Sequence, residues 1–294
     1  MNILIAGGTG FIGTYLKKRF EEKGENVKLV SRTGIDVPWV HQSLVDELEH
    51  TDMVINLAGK TINCRHTFEN KEMILKSRTK ATNLLGNAIA ACKNPPLLWV
   101  NASASAIYKS DTIAPATETS EHLADDFLAD VVRRWETDFF SFKLPSTRQI
   151  ALRTSVVLGR SKGAFPSLLR LTRLGLGGKV GNGKQIFSWI HIGDYFRIVE
   201  FLIQNDSITG VVNCTSPAPL SNAALMKEMR SKVKIPFGLP APEFAVRIGA
   251  FFIGTESSLL LDSTNIYPER LLNAGFKFKF GDISTAISDL VSSK

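Results

Sequence analysis

The stretch MNILIAGGTGFIG, residues 1–13, decides the fold. The apolar run Ile3 to Ala6 predicts a short strand buried on both faces. Gly7, Gly8, Gly10 and Gly13 follow, interleaved with Thr9, Phe11 and Ile12, before an amphipathic stretch over 14–22 that predicts a helix. Glycine in such a turn tolerates positive φ, and the missing Cβ lets backbone approach a ligand closely. A helix N-terminus presents free N–H groups and the positive end of its dipole, so a strand, a glycine turn and a helix in this order make a cradle for a pyrophosphate. The ligand implied is a dinucleotide.

Downstream, the residues 26–30 read as a second strand ending at Ser31 and Arg32. An acidic residue there accepts hydrogen bonds from ribose hydroxyls, whereas a cation beside a small hydroxyl suits a 2′-phosphate. The absence of an acid favours NADP(H) over NAD(H). A helix over 43–49 leads to Met53-Val54-Ile55-Asn56-Leu57-Ala58-Gly59, a strand ending in a turn, where Ala58-Gly59 lets a loop come close to whatever lies across the sheet edge. A long helix is expected over 68–91, stopped by Asn94-Pro95-Pro96, with another strand from Leu97 to Val100. This alternation through about residue 155 specifies an α/β, Rossmann-like, doubly wound parallel sheet with its sites at the carboxyl ends of the strands.

Past residue 158 the character changes. Residues 159–185 are rich in glycine and basic residues and are expected to form a mobile loop. Short strands are expected over 186–190 and 210–214, both returning to the main sheet. Prolines at 217, 219, 236, 240 and 242 divide the remainder into short elements. The expectation is a dinucleotide-binding domain over 1–158, rejoined by segments near 186–215, and a smaller C-terminal α+β substrate lobe from 159–185 and 216–294. Phe251, Phe252 and Leu259 to Leu261 are expected in the core of that lobe.

Composition narrows the function classes. Of 294 residues, 44% are hydrophobic and 21% charged, an ordinary globular balance. No run of 18 apolar residues is present to span a membrane, and no basic region precedes an apolar one as in a secretory signal, so a cytoplasmic protein is expected. Cys64, Cys92 and Cys214 are far apart and odd in number, which suits a reducing compartment. His41, His50, His66 and His122 have no spacing that signals a metal. The net charge of +7 and pI near 9.3 come from scattered residues without a long Lys/Arg tract, which argues for a phosphate-binding pocket and against nucleic acid.

Together the glycine turn, Leu57-Ala58-Gly59 and the segment Asn101-Ala102-Ser103-Ala104-Ser105-Ala106-Ile107-Tyr108 resemble the extended short-chain dehydrogenases/reductases. The segment from Gly181 to Asp194, the run Val211 to Pro217 and the tail Pro268 to Phe276 resemble its atypical branch, the epimerase family, including that branch's small C-terminal domain of undefined function. The resemblance implies an NAD(P) domain with a lobe closing over a substrate. It also implies a Ser or Thr at a strand end that binds the substrate oxygen, matched by Ser103 or by Ser105, and a Tyr-x-x-x-Lys pair on the next helix. That pair is missing: Phe127, Leu128, Val131 and Val132 stand where it is sought. Tyr108, Glu118, Glu121 and His191 are the remaining candidates for proton transfer. Lys60, Arg65 and Lys184 are candidates for holding an anionic substrate. The expected function is NADP(H)-dependent hydride transfer, oxidoreductase or epimerase-like, on a small substrate, anionic or nucleotide-linked, by a monomer or homodimer. The alternative is a non-catalytic NADP(H) sensor or scaffold.

Overall fold

Parallel pairing runs through the whole of a six-stranded sheet in the order β2-β1-β3-β4-β5-β9. The structure is a computed structural model that describes residues 1–31, 36–109, 114–254 and 256–292. In chain order the first half comprises β1 (Asn2–Ala6), α1 (Phe11–Glu21), β2 (Asn26–Val30), α2 (His41–Leu48), β3 (Met53–Asn56), α3 (Phe68–Ala91), β4 (Leu98–Ala104), α4 (Phe127–Ser141) and β5 (Arg148–Thr154). Then come β6 (Val156–Leu158), α5 (Phe165–Arg173), β7 (Ile186–Phe187), β8 (Trp189–His191), α6 (Ile192–Gln204), β9 (Gly210–Cys214), β10 (Leu220–Ser221) and α7 (Asn222–Val233). The chain closes with α8 (Glu243–Ile253), α9 (Ser258–Leu261), α10 (Glu269–Asn273) and α11 (Ile283–Ser292).

Successive strand residues point to opposite faces, so a strand covered on both sides is apolar throughout. Ile3, Ile5, Met53, Ile55, Leu98, Val100, Ile150 and Leu152 pack with α1 and α6 through Leu16, Phe20, Phe196 and Val199. Their neighbours Leu4, Val54, Trp99 and Ala151 face α2, α3 and α4 through Leu44, Leu85 and Phe139. The Trp99 and Phe139 rings meet edge to face, centroids 4.6 Å apart. Because β2 lies on one side of β1 and β3 on the other, the order reverses at β1 and opens a crevice beyond the carboxyl ends of β1 and β3.

Three expectations about the second half need correction. Residues 159–185 are not simply a loop: Phe165, Leu168, Leu169 and Thr172 recur at helical spacing and form the inner face of α5, while the glycines cluster beyond it. Of the two segments expected to rejoin the sheet, only β9 does, pairing with β5. With β5 already flanked by β4 and β9, the segment over 186–191 has no sheet edge to join. It forms two-stranded ribbons instead, β7 with β10 and β8 with β6. Phe251 and Phe252 are not lobe core, being 60% and 82% exposed. The lobe core is built from Leu158, Phe165, Trp189, Leu225, Met229 and Leu290. The side chains of Leu259 and Leu260 lie outside the described residues.

The seam between α1 and the β1 turn has no room for a side chain. A Cβ on Gly13 would stand 2.5 Å from Gly8 Cα and 2.8 Å from Gly7 O, both backbone atoms with nowhere to move. Gly13→Ala is therefore expected to destabilise the fold by roughly 1–3 kcal/mol, the range for overpacking. Urea unfolding measures this, and an unchanged midpoint would disprove the close packing.

Candidate functional site

At the end of β1 the backbone must reverse, and Gly7 does so at φ 75°. The N–H of Gly7 donates to Val30 O (3.2 Å), and Gly10 N–H returns to Gly7 O (3.1 Å), fixing the turn. Gly10 caps α1 without a side chain, so the first-turn N–H groups stay open toward the crevice. Across the crevice, Asn56 is fully buried and donates to Asn101 Oδ1 (2.7 Å) and Thr82 Oγ1 (3.1 Å). Its own Oδ1 accepts from Ala58 N–H (3.1 Å), which shapes the Leu57-Ala58-Gly59 turn. The two turns nearly touch: a Cβ on Gly7 would lie 2.8 Å from Ala58 N and Leu57 O.

The end of β2 carries no acid turned to the crevice. Ser31 is buried there, and Asp36 folds back to accept Leu29 N–H (2.8 Å). Arg32 lies outside the described residues.

Arg78, on α3, is a charge the sequence reading missed. Its Nη1 donates to Lys60 O (3.0 Å) and Ile74 O (2.9 Å), and its guanidinium sits 5.3 Å from the Trp135 ring centroid. No carboxylate among the described residues pairs with it. Burial alone pushes its pKa down to about 10. A Cβ on Gly59 would come within 3.2 Å of Arg78 Cζ, so this unpaired cation stands directly behind the turn that borders the crevice.

The candidate proton-transfer residues are mostly engaged elsewhere. Ser103 Oγ donates to Glu136 Oε1 (2.5 Å), on the α4 side of the sheet. Glu136 is held by Arg153 through Nε (2.9 Å) and Nη2 (2.7 Å). Arg153 Nη1 donates to Tyr108 OH (2.9 Å), and Tyr108 OH donates to Asn213 Oδ1 (2.7 Å) on β9. Burial opposes the Arg153 charge, but Glu136 more than offsets it and holds the guanidinium above its ordinary value. Burial also raises the Tyr108 pKa, only partly offset by Arg153, so this phenol stays protonated. Phe127, Leu128, Val131 and Val132, where the Tyr and Lys were sought, lie in the first turns of α4, and Val132 packs with Ile107, Tyr108 and Ile266 in an apolar cluster.

Glu118 accepts the N–H groups of Asn213 (2.9 Å) and Arg270 (3.4 Å), bracing β9 against α10, and burial raises its pKa. Glu121 is exposed. Ser105 is buried in a 3-10 turn, its carbonyl accepting Tyr108 N–H (3.1 Å). His191 caps α6, its Nδ1 accepting Gly193 N–H (3.0 Å), with its ring against Phe280. Of the substrate candidates, Arg65 is spent on the lobe, donating to Phe251 O (2.7 Å) with its guanidinium 4.0 Å from the Phe251 ring centroid. The same loop is tied again where His66 N–H donates to Glu256 Oε1 (2.7 Å). Lys60 lines the β3 turn, its N–H on Ser77 Oγ (2.8 Å), and Lys184 is exposed on a separate loop. No hydrogen bond or ion pair among the described residues joins Lys60, Arg65 and Lys184 to one another. Glu136 carried a signal in the sequence, a carboxylate next to Trp135 on a largely apolar helix face, whereas Arg153 shares its strand with Arg148 and Arg78 stands among the other charges of α3.

These features define a doubly wound dinucleotide-binding protein with an appended lobe. Residues 3–126 match the NAD dependent epimerase/dehydratase family, and residues 241–290 match a domain of unknown function, DUF1731. The epimerase family protein SDR39U1 of Mus musculus is 35% identical, covering 99% of this chain and 100% of its own. The epimerase family protein YfhF of Bacillus subtilis is 32% identical, covering 100% and 99%. A crystal structure of human SDR39U1 with NADPH superposes with a TM-score of 0.88 at 33% identity, covering 100% of both chains. The chain belongs to the epimerase family, an atypical branch of the short-chain dehydrogenases/reductases.

Two predictions follow from the buried groups. Glu136→Gln strands the Arg153 charge and is expected to cost about 3–5 kcal/mol, whereas Glu136→Leu with Arg153→Met recovers most of the loss. Equal losses in the two variants by urea unfolding would show that the pair does not act as a unit. His191 is desolvated, and its pKa falls from the ordinary 6.5 to about 4 despite Asp289 nearby. The unfolded chain therefore binds a proton that the folded one refuses. The stabilisation is full above 6.5 and is lost as pH falls toward 4, by about 3 kcal/mol. His191→Gln should flatten that part of the stability profile; an unchanged slope between those pH values would refute the assignment.

Proposed function

We propose that this protein is an NADP(H)-dependent oxidoreductase or epimerase-like enzyme acting by hydride transfer on a small molecule. The observation that carries the reading is the paired turns at the β1/β3 crevice, with open α1 N–H groups on one side and the unpaired Arg78 behind the other. A desolvated cation without a counter-ion is poorly stabilised, and an anionic oxygen of the ligand would complete it. The crevice fits a dinucleotide: residues 7–13 would hold the pyrophosphate and Leu57 to Gly59 would pass along its ribose. NADP(H) is preferred to NAD(H) because Asp36 is turned away and Ser31 stands at the end of β2. The crystallised human relative carries NADPH.

The bound nicotinamide supplies hydride exchange. The chain's part is to bind and orient, since the Ser103 proton is committed to Glu136 and the place of the Tyr-Lys pair is apolar. Tyr108 and Glu118 keep neighbouring elements in register, so proton exchange is assigned to solvent. A second reading, an NADP(H) sensor or scaffold without turnover, is favoured by that same engagement of the polar groups.

Calorimetric titration of cofactor-stripped protein with NADPH and NADH tests the reading. Tight binding selective for NADPH supports it, and no binding to either sinks it. Arg78→Met is expected to weaken NADPH binding at least tenfold, about 1.4 kcal/mol or more, with little change in apoprotein melting. Isotope exchange at the nicotinamide of bound NADPH separates the enzyme from the sensor, which would show none.

A further inference from the structure

From residue 139 to residue 193 the chain contains no Asp or Glu and nine Lys or Arg. Six of these, Arg160, Lys162, Arg170, Arg173, Lys179 and Lys184, fall within the segment around α5, and neither the crevice nor the buried ion pair uses them. Three of the six converge on one groove. Arg160, Arg170 and Arg173 line it together with Pro166, Leu169 and Leu174, enclosing about 420 Å³. On α5 these positions recur at helical spacing, so one face of the helix carries two guanidiniums between apolar side chains.

The charges are not compensated by the protein. Among the described residues, the Arg170 and Arg173 guanidiniums form no ion pair or hydrogen bond. Arg160 Nη2 donates to the main-chain oxygen of Asp289 (2.8 Å), whose carboxylate instead lies 3.4 Å from His191 Nε2. Three like charges around one concavity repel each other unless an anion sits between them. Guanidinium groups match phosphate oxygens in paired hydrogen bonds, and the groove falls in the size range of small-molecule sites.

The groove is also separate from the glycine crevice. Between them runs the turn from β6 to α5, where Gly159 and Gly163 lie on the Phe11 ring so closely that a Cβ on either would come within 2.9 Å of it. Arg160 is carried on this turn and lines the groove, its Nη2 on the Asp289 carbonyl. We propose that the Arg160/Arg170/Arg173 groove binds a phosphate group, carried by a small molecule with an apolar portion resting on Leu169 and Leu174 or by a lipid headgroup.

Inorganic pyrophosphate is the probe, titrated calorimetrically into the full chain with and without saturating NADPH. With the crevice filled by saturating NADPH, single-site binding of pyrophosphate to the groove is expected, weakened at least tenfold in Arg170→Gln/Arg173→Gln and retained in Arg78→Met. Melting curves of both variants check that they fold, and Arg160→Gln supplies an independent loss if the double variant does not. Sedimentation with vesicles containing phosphatidic acid, against phosphatidylcholine alone, distinguishes the sources. Binding to acidic vesicles without binding of pyrophosphate, again lost in the double variant, assigns the phosphate to a lipid headgroup. The proposal is overturned if neither probe binds, if the double variant binds as well as the parent, or if Arg78→Met abolishes pyrophosphate binding. Failure of the parent to bind NADPH bears on the crevice alone, since the groove is tested without it.

Discussion

The Arg153–Glu136 ion pair ties β4, α4, β5 and β9 to one another. It is buried, bidentate and extended at both ends: through Ser103 to β4, and through Tyr108 and Asn213 to β9 and the Tyr267 carbonyl. A carboxylate and a guanidinium are tolerated under the sheet only because each satisfies the other and their remaining donors and acceptors find partners. That requirement decides the fate of the neighbouring hydroxyls. Ser103 and Tyr108, which stand beside the crevice in sequence, are drawn into the network as its end groups.

Polar chemistry is thus unevenly divided. On one side is a network in which the Ser103 and Tyr108 hydroxyls both donate within the protein, beside the apolar cluster around Val132. The opposite side, behind Gly59, has Arg78 with only backbone oxygens for company. The two arginines differ in their partners: Arg153 is buried and paired with Glu136, whereas Arg78, half-buried, meets no carboxylate among the described residues. Lobe and crevice are also linked directly, since Arg65 and His66 from the β3–α3 loop grip α8 and Glu256.

Much of the architecture was legible from local pattern. The strand over 26–30 and the helix over 68–91 have the expected limits, because an alternating polar–apolar strand and a proline-stopped helix declare themselves within a few residues. The second half was harder. In 159–185 the abundance of glycine masked α5, whose apolar spacing occupies only nine residues. The short strands β7 and β8 were assigned to the wrong sheet because strand propensity says nothing about which edge is free.

The sequence by itself determined the glycine turn, the absence of an acid at the end of β2 and the missing Tyr-Lys pair. Each is a property of residue type at a position, carried by local backbone conformation or by the presence of a functional group. Tertiary structure alone decided that Ser103 donates to Glu136, that Arg78 lacks a carboxylate and that Phe251 faces outward. These depend on which distant residues are brought together, and side-chain pairing across 33 positions, as between Ser103 and Glu136, leaves no periodic trace along the chain.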